Sequence, residues 1–214
     1  FLTGGSFDGL NVTIPYKKDV VPYCAELSEA AQRAGCVNTI VRRADGTLFG
    51  DNTDLFGFER MLLSTGVGVR GRKALVFGSG GASGTACEVL RQHGAQVVRI
   101  SRSGADNYTN LDRHADAQVL VNTTPLGMYP NNGVAPVDIS NFPACALVLD
   151  VVYNPARTAL LLQAEALGIP HANGLEMLVA QAVRSSEHFT GSTIADGTIA
   201  RVTRKMAHTM QSLV

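Results

Sequence analysis

A glycine-rich turn carries the clearest chemistry in this chain. Ala74-Leu75-Val76-Phe77 is an apolar, β-prone run that leads directly into Gly78-Ser79-Gly80-Gly81-Ala82-Ser83, and a helical pattern starts near Ala82. Gly78 permits a tight turn, and Gly80 lets the backbone approach a pyrophosphate. Free N–H groups at the helix start, from Gly81 and Ala82 onward, then hold the phosphate charge. The third glycine of the usual fingerprint is Ser83 here, which is still small enough for helix–sheet contact. A strand before the turn and a helix after it supply the context that makes such a motif informative. The next β-like run, Gln96–Ile100, ends in Ser101-Arg102-Ser103. A site for an unphosphorylated ribose usually has Asp or Glu there. A guanidinium instead suits a 2′-phosphate through paired hydrogen bonds, so the residues favour NADP over NAD.

Other reactive residue types are scattered. The four cysteines (Cys24, Cys36, Cys87, Cys145) form no C-x-x-C pair and read as reduced thiols. The five histidines show no H-x-x-x-H or H-E-x-x-H spacing, so no metal site is expected. Acidic and basic residues balance at 18 each, which gives no strong field toward nucleic acid or an anionic membrane. No apolar run approaches the roughly 18 residues of a spanning helix. No nucleic-acid or membrane partner is expected.

The elements that must position these residues fall into zones. Leu10–Ile14 reads as β, and Val20–Ala34 as a helix. Val37–Val41 and Thr47–Gly50 flank Ala44-Asp45-Gly46, a hairpin signal. Asp54–Thr65 reads as a helix, with Leu55, Phe58, Met61 and Leu62 at helical spacing. Residues 66–72 are glycine-rich and basic, which marks a domain junction. Beyond it, continuous apolar runs at Ala74–Phe77, Gln96–Ile100, Gln118–Val121 and Ala146–Val152 alternate with helices at Gly84–His93 and Arg157–Leu167. That alternation predicts a doubly wound α/β domain with a parallel sheet covered on both faces. Leu175–Phe189 and Thr198–Leu213 read as two closing helices.

Six further segments, in order along nearly the whole chain, resemble the signatures of the shikimate dehydrogenases. They are Gly9-Leu10-Asn11-Val12-Thr13-Ile14-Pro15-Tyr16-Lys17, Gly35-Cys36-Val37-Asn38-Thr39 and Gly50-Asp51-Asn52-Thr53-Asp54, then Asn122-Thr123-Thr124-Pro125-Leu126-Gly127-Met128, Asp150-Val151-Val152-Tyr153-Asn154-Pro155 and Gly174-Leu175-Glu176-Met177-Leu178-Val179-Ala180-Gln181. The resemblance implies a Rossmann-type domain plus an N-terminal α/β substrate domain, which is expected to be partly missing. Residues 1–68 would form the rest of that substrate domain and residues 69–175 the NADP-binding domain. Residues 176–214 would be helices packing back on the substrate domain. The expected first strand and helix, and a Ser-x-Ser pair for the substrate carboxylate, have no counterpart before Lys17.

The implied reaction is the reversible, NADP-linked reduction of 3-dehydroshikimate to shikimate on the route to chorismate and aromatic amino acids. Lys17 and Asp54 match the family's catalytic pair. Read singly, they are a surface lysine at a helix start and a first-turn acid. Removing hydride from a carbinol leaves an O–H proton that needs a base. Burial and a nearby carboxylate act on a lysine in opposite directions, so the sequence leaves open which of the two carries that proton. Thr13, Asn38, Tyr153 and Gln181 would contact the substrate, with ring hydroxyls met by groups that both donate and accept. Glu29, Thr123, Thr124, Val151 and Gly174 would line the cofactor site, in addition to Gly78, Gly80, Gly81, Ala82, Ser101, Arg102 and Ser103. A cleft that closes on the cofactor is expected, in a cytoplasmic monomer or homodimer. Two alternatives stand beside this reading: a quinate/shikimate dehydrogenase using NAD or both cofactors, and an inactive nucleotide-binding module.

Overall fold

The computed structural model describes residues 2–13, 15–195 and 197–211. These residues build two sheets. The first contains β1 (Gly9–Asn11), β2 (Glu26–Leu27), β3 (Thr39–Arg42) and β4 (Leu48–Asp51), in the order β1-β3-β4-β2. β3 and β4 pair as an antiparallel hairpin, and β2 joins β4 in parallel. Asp45 shapes the hairpin turn by accepting from the Thr47 N–H at 2.9 Å. The expected long helix over Val20–Ala34 is instead a 3-10 turn at Val21–Tyr23, then β2, then a short helix α1 (Glu29–Ala34). Pro22 lacks the N–H that an α-helix interior needs, and Ser28 caps α1 by accepting from the Ala31 N–H at 3.0 Å. Ile14 and Leu213, at the ends of two expected elements, lie outside the described residues.

Helix α2 (Thr53–Ser64) leads to the second sheet, which is wholly parallel. Its strands are β5 (Lys73–Phe77), β6 (Gln96–Ile100), β7 (Val119–Asn122), β8 (Leu147–Asp150) and β9 (His171–Asn173), in the order β6-β5-β7-β8-β9. Alternate residues face opposite layers. Ala74, Val76, Val121 and Leu149 pack with Leu55, Phe58, Met61 and Leu62 of α2 and with Ala86, Val89 and Leu90 of α3 (Gly81–Gln92). Leu75, Phe77, Leu120 and Val148 pack on the other face with Leu160, Leu161 and Ala164 of α4 (Ala159–Ala166). Both faces are covered, as the continuous apolar strands require. The apolar stripe of α2 thus serves the second sheet, although α2 follows directly from the first.

Strand order reverses between β5 and β7, so the crevice of the fold opens beyond their C-terminal ends. The chain closes with α5 (Leu175–Thr190) and α6 (Gly197–Gln211). Among the described residues, no helix is long and apolar enough to cross a membrane.

Candidate active site

At the crevice, Gly78 takes φ +124°, and a Cβ there would meet the Thr123 hydroxyl at 2.5 Å, so only glycine fits between the two loops. Thr123 donates to the Phe77 carbonyl at 2.6 Å, which ties the loop after β7 to the end of β5. Ser83 is fully buried and donates to the Gly78 carbonyl at 2.8 Å. The serine at the third fingerprint position therefore braces the turn it departs from. Gly80 caps α3 without a side-chain hydrogen bond, and Cβ atoms at Gly80 and Gly81 would point into open space. The first N–H groups of α3 are thus open to an anion. Beyond β6, Arg102 is exposed, and no carboxylate pairs with it among the described residues. The donor set fits a phosphorylated dinucleotide.

A cavity of about 520 Å³ runs from this helix start to the first sheet. Lys17, Asp54, Thr13, Asn38, Tyr153, Gln181, Gly81, Ala82, Val151 and Gly174 all line it. Lys17 Nζ donates to Asp54 Oδ2 at 2.7 Å, with about a fifth or less of either side chain exposed. Asp54 emerges in the first turn of α2, whose cap is Asn52, the acceptor for the Asp54 N–H at 3.2 Å. Asn38 is buried and accepts from the Thr53 N–H at 2.8 Å. Its amide also donates to the Thr53 hydroxyl at 3.0 Å, which leaves a second N–H for the cavity. Gln181 donates to the Leu178 carbonyl at 2.9 Å, and its amide oxygen remains as an acceptor.

Some expected residues stand apart from that cavity. Ser101, Arg102, Ser103, Thr123 and Thr124 lie on the loops beyond β6 and β7, with Gly78 and Gly80 in the turn beyond β5. Thr124 caps its own loop by donating to Asn122 Oδ1 at 2.7 Å. Glu29 does not join the site. It starts α1, pairs with Arg33 at 3.2 Å and borders a separate depression. A helix-surface acid with an i,i+4 partner accounts for it.

Other residues of the site were not singled out by sequence. Asn11 reaches Ser185 at 3.0 Å and also lines the cavity. Met177 and Leu178 supply its apolar wall, and the motif that holds Gln181 contains both. Asp150 is fully buried at the end of β8, where it accepts from Asn122, the Val152 N–H and Thr158 at 2.9, 3.0 and 2.7 Å. Burial pushes its carboxyl up to about 6, against the pull of those three donors. It ties the end of β7 to both ends of the connection between β8 and α4. Cys36 is buried beside the pair, and burial pushes its thiol up.

An uncapped helix start behind the first strand of a doubly wound sheet, facing a lysine–carboxylate pair across one cavity, defines an α/β dehydrogenase. Residues 2–40 match the family model described as shikimate dehydrogenase substrate binding domain. The NADP(+) shikimate dehydrogenase of Caldicellulosiruptor bescii is 37% identical over 196 residues, covering 83% of this chain and 68% of that one. The shikimate 5-dehydrogenase of Thermus thermophilus, solved in complex with NADP(H) and shikimate, superposes with a TM-score of 0.80 at 31% identity, covering 94% of this chain and 79% of that one. A quinate dehydrogenase of Corynebacterium glutamicum, solved with NAD, gives 0.84 at 30% identity over 94% and 78%. The chain belongs to the shikimate dehydrogenase family.

Proposed function

We propose that the cavity is the active site of an NADP-linked shikimate dehydrogenase, an oxidoreductase that interconverts shikimate and 3-dehydroshikimate. One observation carries this reading: the Lys17–Asp54 pair at 2.7 Å shares a cavity with the start of α3. Gly80, Gly81 and Ala82 hold the pyrophosphate on free backbone N–H groups, and Gly78 supplies the tight turn before them, with its own N–H donated to the Ile100 carbonyl at 2.8 Å. Ser101, Arg102 and Ser103 hold the 2′-phosphate, while Thr123, Thr124, Val151 and Gly174 border the nicotinamide side. A nicotinamide bound there would supply the hydride acceptor for the carbinol carbon at position 3 and, when reduced, the hydride donor for the ketone. In the oxidising direction the Lys17–Asp54 pair accepts the carbinol proton. In the reducing direction Lys17 Nζ returns it to the carbonyl oxygen and stabilises the charge that develops there. Thr13, Asn38, Tyr153 and Gln181 orient the ring hydroxyls.

The same reading divides the chain into a substrate part at residues 1–68, a nucleotide domain at 69–175 and returning helices at 176–214. Support for the return comes from Ser185, which meets Thr39 at 2.8 Å. The enzyme is placed in the cytoplasm, as a monomer or homodimer. The test is the absorbance of reduced nicotinamide when the protein is given shikimate with NADP⁺ and then with NAD⁺. Turnover confined to NADP⁺ is expected, and NADPH binding without turnover on either cofactor would overturn the assignment. The likeness to a quinate dehydrogenase favours quinate as the second substrate to try.

A further inference from the structure

The face of α5 that meets the β4–α2 turn carries polar side chains at positions 181, 185 and 188, one stripe of a helix. Gln181 lines the cavity. Ser185 is buried, with its hydroxyl 2.8 Å from that of Thr39 and 3.1 Å from that of Thr53. His188 Nε2 lies 2.6 Å from Asp51 Oδ2, a contact between residues 137 apart in sequence. Asp51 ends β4 and is buried. Its other oxygen accepts from the Asn52 N–H at 2.8 Å and from the Ser28 hydroxyl. Burial pushes the Asp51 carboxyl up, but the bonds from His188, Ser28 and Asn52 outweigh it and hold the group below the ordinary range. Asn52 donates in turn to the Cys36 carbonyl at 3.1 Å and caps the helix that starts with Thr53 and Asp54. Asp51 is thus fixed at the root of the turn from which Asp54 reaches Lys17.

We infer that His188 is a positioning residue for the reaction: it clamps Asp51, and through it the turn that aims Asp54 at Lys17, to the helix that carries Gln181. The inference rests on the reading of Lys17 and Asp54 as the catalytic pair. Among the described residues, His188 is the α5 side chain that meets Asp51 Oδ2, so its removal leaves that oxygen without a donor from α5. The proton-handling pair and the Gln181 anchor then lose their common register. A displacement near 1 Å at a reacting centre costs up to about 10²-fold, and a residue one step removed should cost about tenfold.

Two substitutions test this. His188→Phe keeps a ring against Phe49, now 5.8 Å between centroids, and deletes the donor. His188→Gln supplies an amide N–H close to the position of Nε2. Steady-state rates with shikimate and NADP⁺ are divided by the active fraction, taken from NADPH-binding stoichiometry. His188→Phe should lower kcat about tenfold, with the KM for shikimate and the NADPH affinity within about threefold, and His188→Gln should recover most of that loss. A wild-type kcat in His188→Phe, equal losses in both variants, or a loss explained wholly by the active fraction each overturn the inference. Asp54→Asn in the same assay separates the two levels. If it is inactive while His188→Phe is unimpaired, only the inference fails. If it keeps wild-type rates, the catalytic reading fails and takes the inference with it.

Discussion

Replacing Gly57 with alanine tests whether the contact between α2 and α5 sets the geometry of the site. A Cβ at Gly57 would lie 2.6 Å from the Met177 carbonyl oxygen and 3.2 Å from Gln181 Cβ, where ordinary contact begins near 3.4 Å. The backbone oxygen cannot rotate away, so the helices must part by about 0.8 Å, the difference between 3.4 and 2.6 Å. Two opposing terms govern stability. Alanine is better than glycine in a helix interior by about 0.8–1.0 kcal/mol, whereas overpacking costs about 1–3 kcal/mol. The net loss should be roughly 0–2 kcal/mol, or a fall in Tm of a few degrees for a chain of this size. Function should suffer more, because Gln181 and Met177 sit at the contact and Asp54 lies one turn before Gly57 on α2. A shift of nearly 1 Å should lower kcat/KM for shikimate by about 30- to 100-fold. NADPH binding, which depends on the start of α3, should stay within about threefold of wild type. The assay pairs initial rates at varied shikimate with an NADPH fluorescence titration. A folded Gly57→Ala protein with wild-type kcat/KM would refute the argument that this helix contact places the substrate groups.

Three further outcomes are expected. Lys17→Met and Asp54→Asn should each lower kcat by about 10³-fold while leaving NADPH affinity intact, since positioned acid–base groups contribute about 10²–10⁴; parallel loss of nucleotide binding would contradict their placement. Arg102→Ala should raise the KM for NADP⁺ about tenfold or more, as hydrogen bonds to charged groups are worth about 1.5–3 kcal/mol, with the KM for NAD⁺ unchanged; an equal effect on both cofactors would remove Arg102 from the 2′-phosphate site. Asp150 gives a pH dependence. Its folded-state value of about 6 lies above the ordinary 3.8, so the folded state holds the proton more tightly. This contribution to stability is fully present below pH 3.8 and is lost as pH rises through about 6, a change on the order of 3 kcal/mol. The stability of wild type minus that of Asp150→Asn, from urea unfolding, should therefore fall between those pH values, and a flat difference would show that Asp150 does not hold the proton.

What the sequence reveals about this molecule is what is local in it. The turn at Gly78–Ser83 is legible because strand, glycines and helix are contiguous. The runs that became β5, β7 and β8 are legible because burial on both faces leaves them largely apolar, while β6, at the sheet edge, is carried by Val97, Val98 and Ile100 with Gln96 and Arg99 exposed. Val20–Ala34 misleads because its apolar spacing suits a helix, while Pro22 and the Ser28 cap divide it into three elements. β9 is a three-residue strand, His-Ala-Asn, with no apolar run to announce it. Glu29 reads as a cofactor neighbour only by motif position, and its pairing with Arg33 four residues on is a better account. The braces of the site are invisible for a different reason: Asp51–His188 and Thr39–Ser185 join residues 137 and 146 apart.

On the proposed reading, those long-range braces let one helix serve both halves of the reaction. α5 is capped at Gly174, which lines the cavity beside Val151 at the end of the parallel sheet. Seven residues on, or about 10 Å at 1.5 Å per residue, it presents Gln181 to the cavity. One turn further Ser185 meets the hydroxyls of Thr39 and Thr53, and then His188 meets Asp51. A helix is stiff along its axis, so the spacing between the nicotinamide side and the substrate side is set by a rod and not by loops. On the proposed reading, side-chain spacing along α5 sets where the carbinol carbon lies relative to the start of α3. The sequence motif ending at Gln181 records only the first two turns of that rod, and its remaining turns hold the rod against the strand that delivers Asp54.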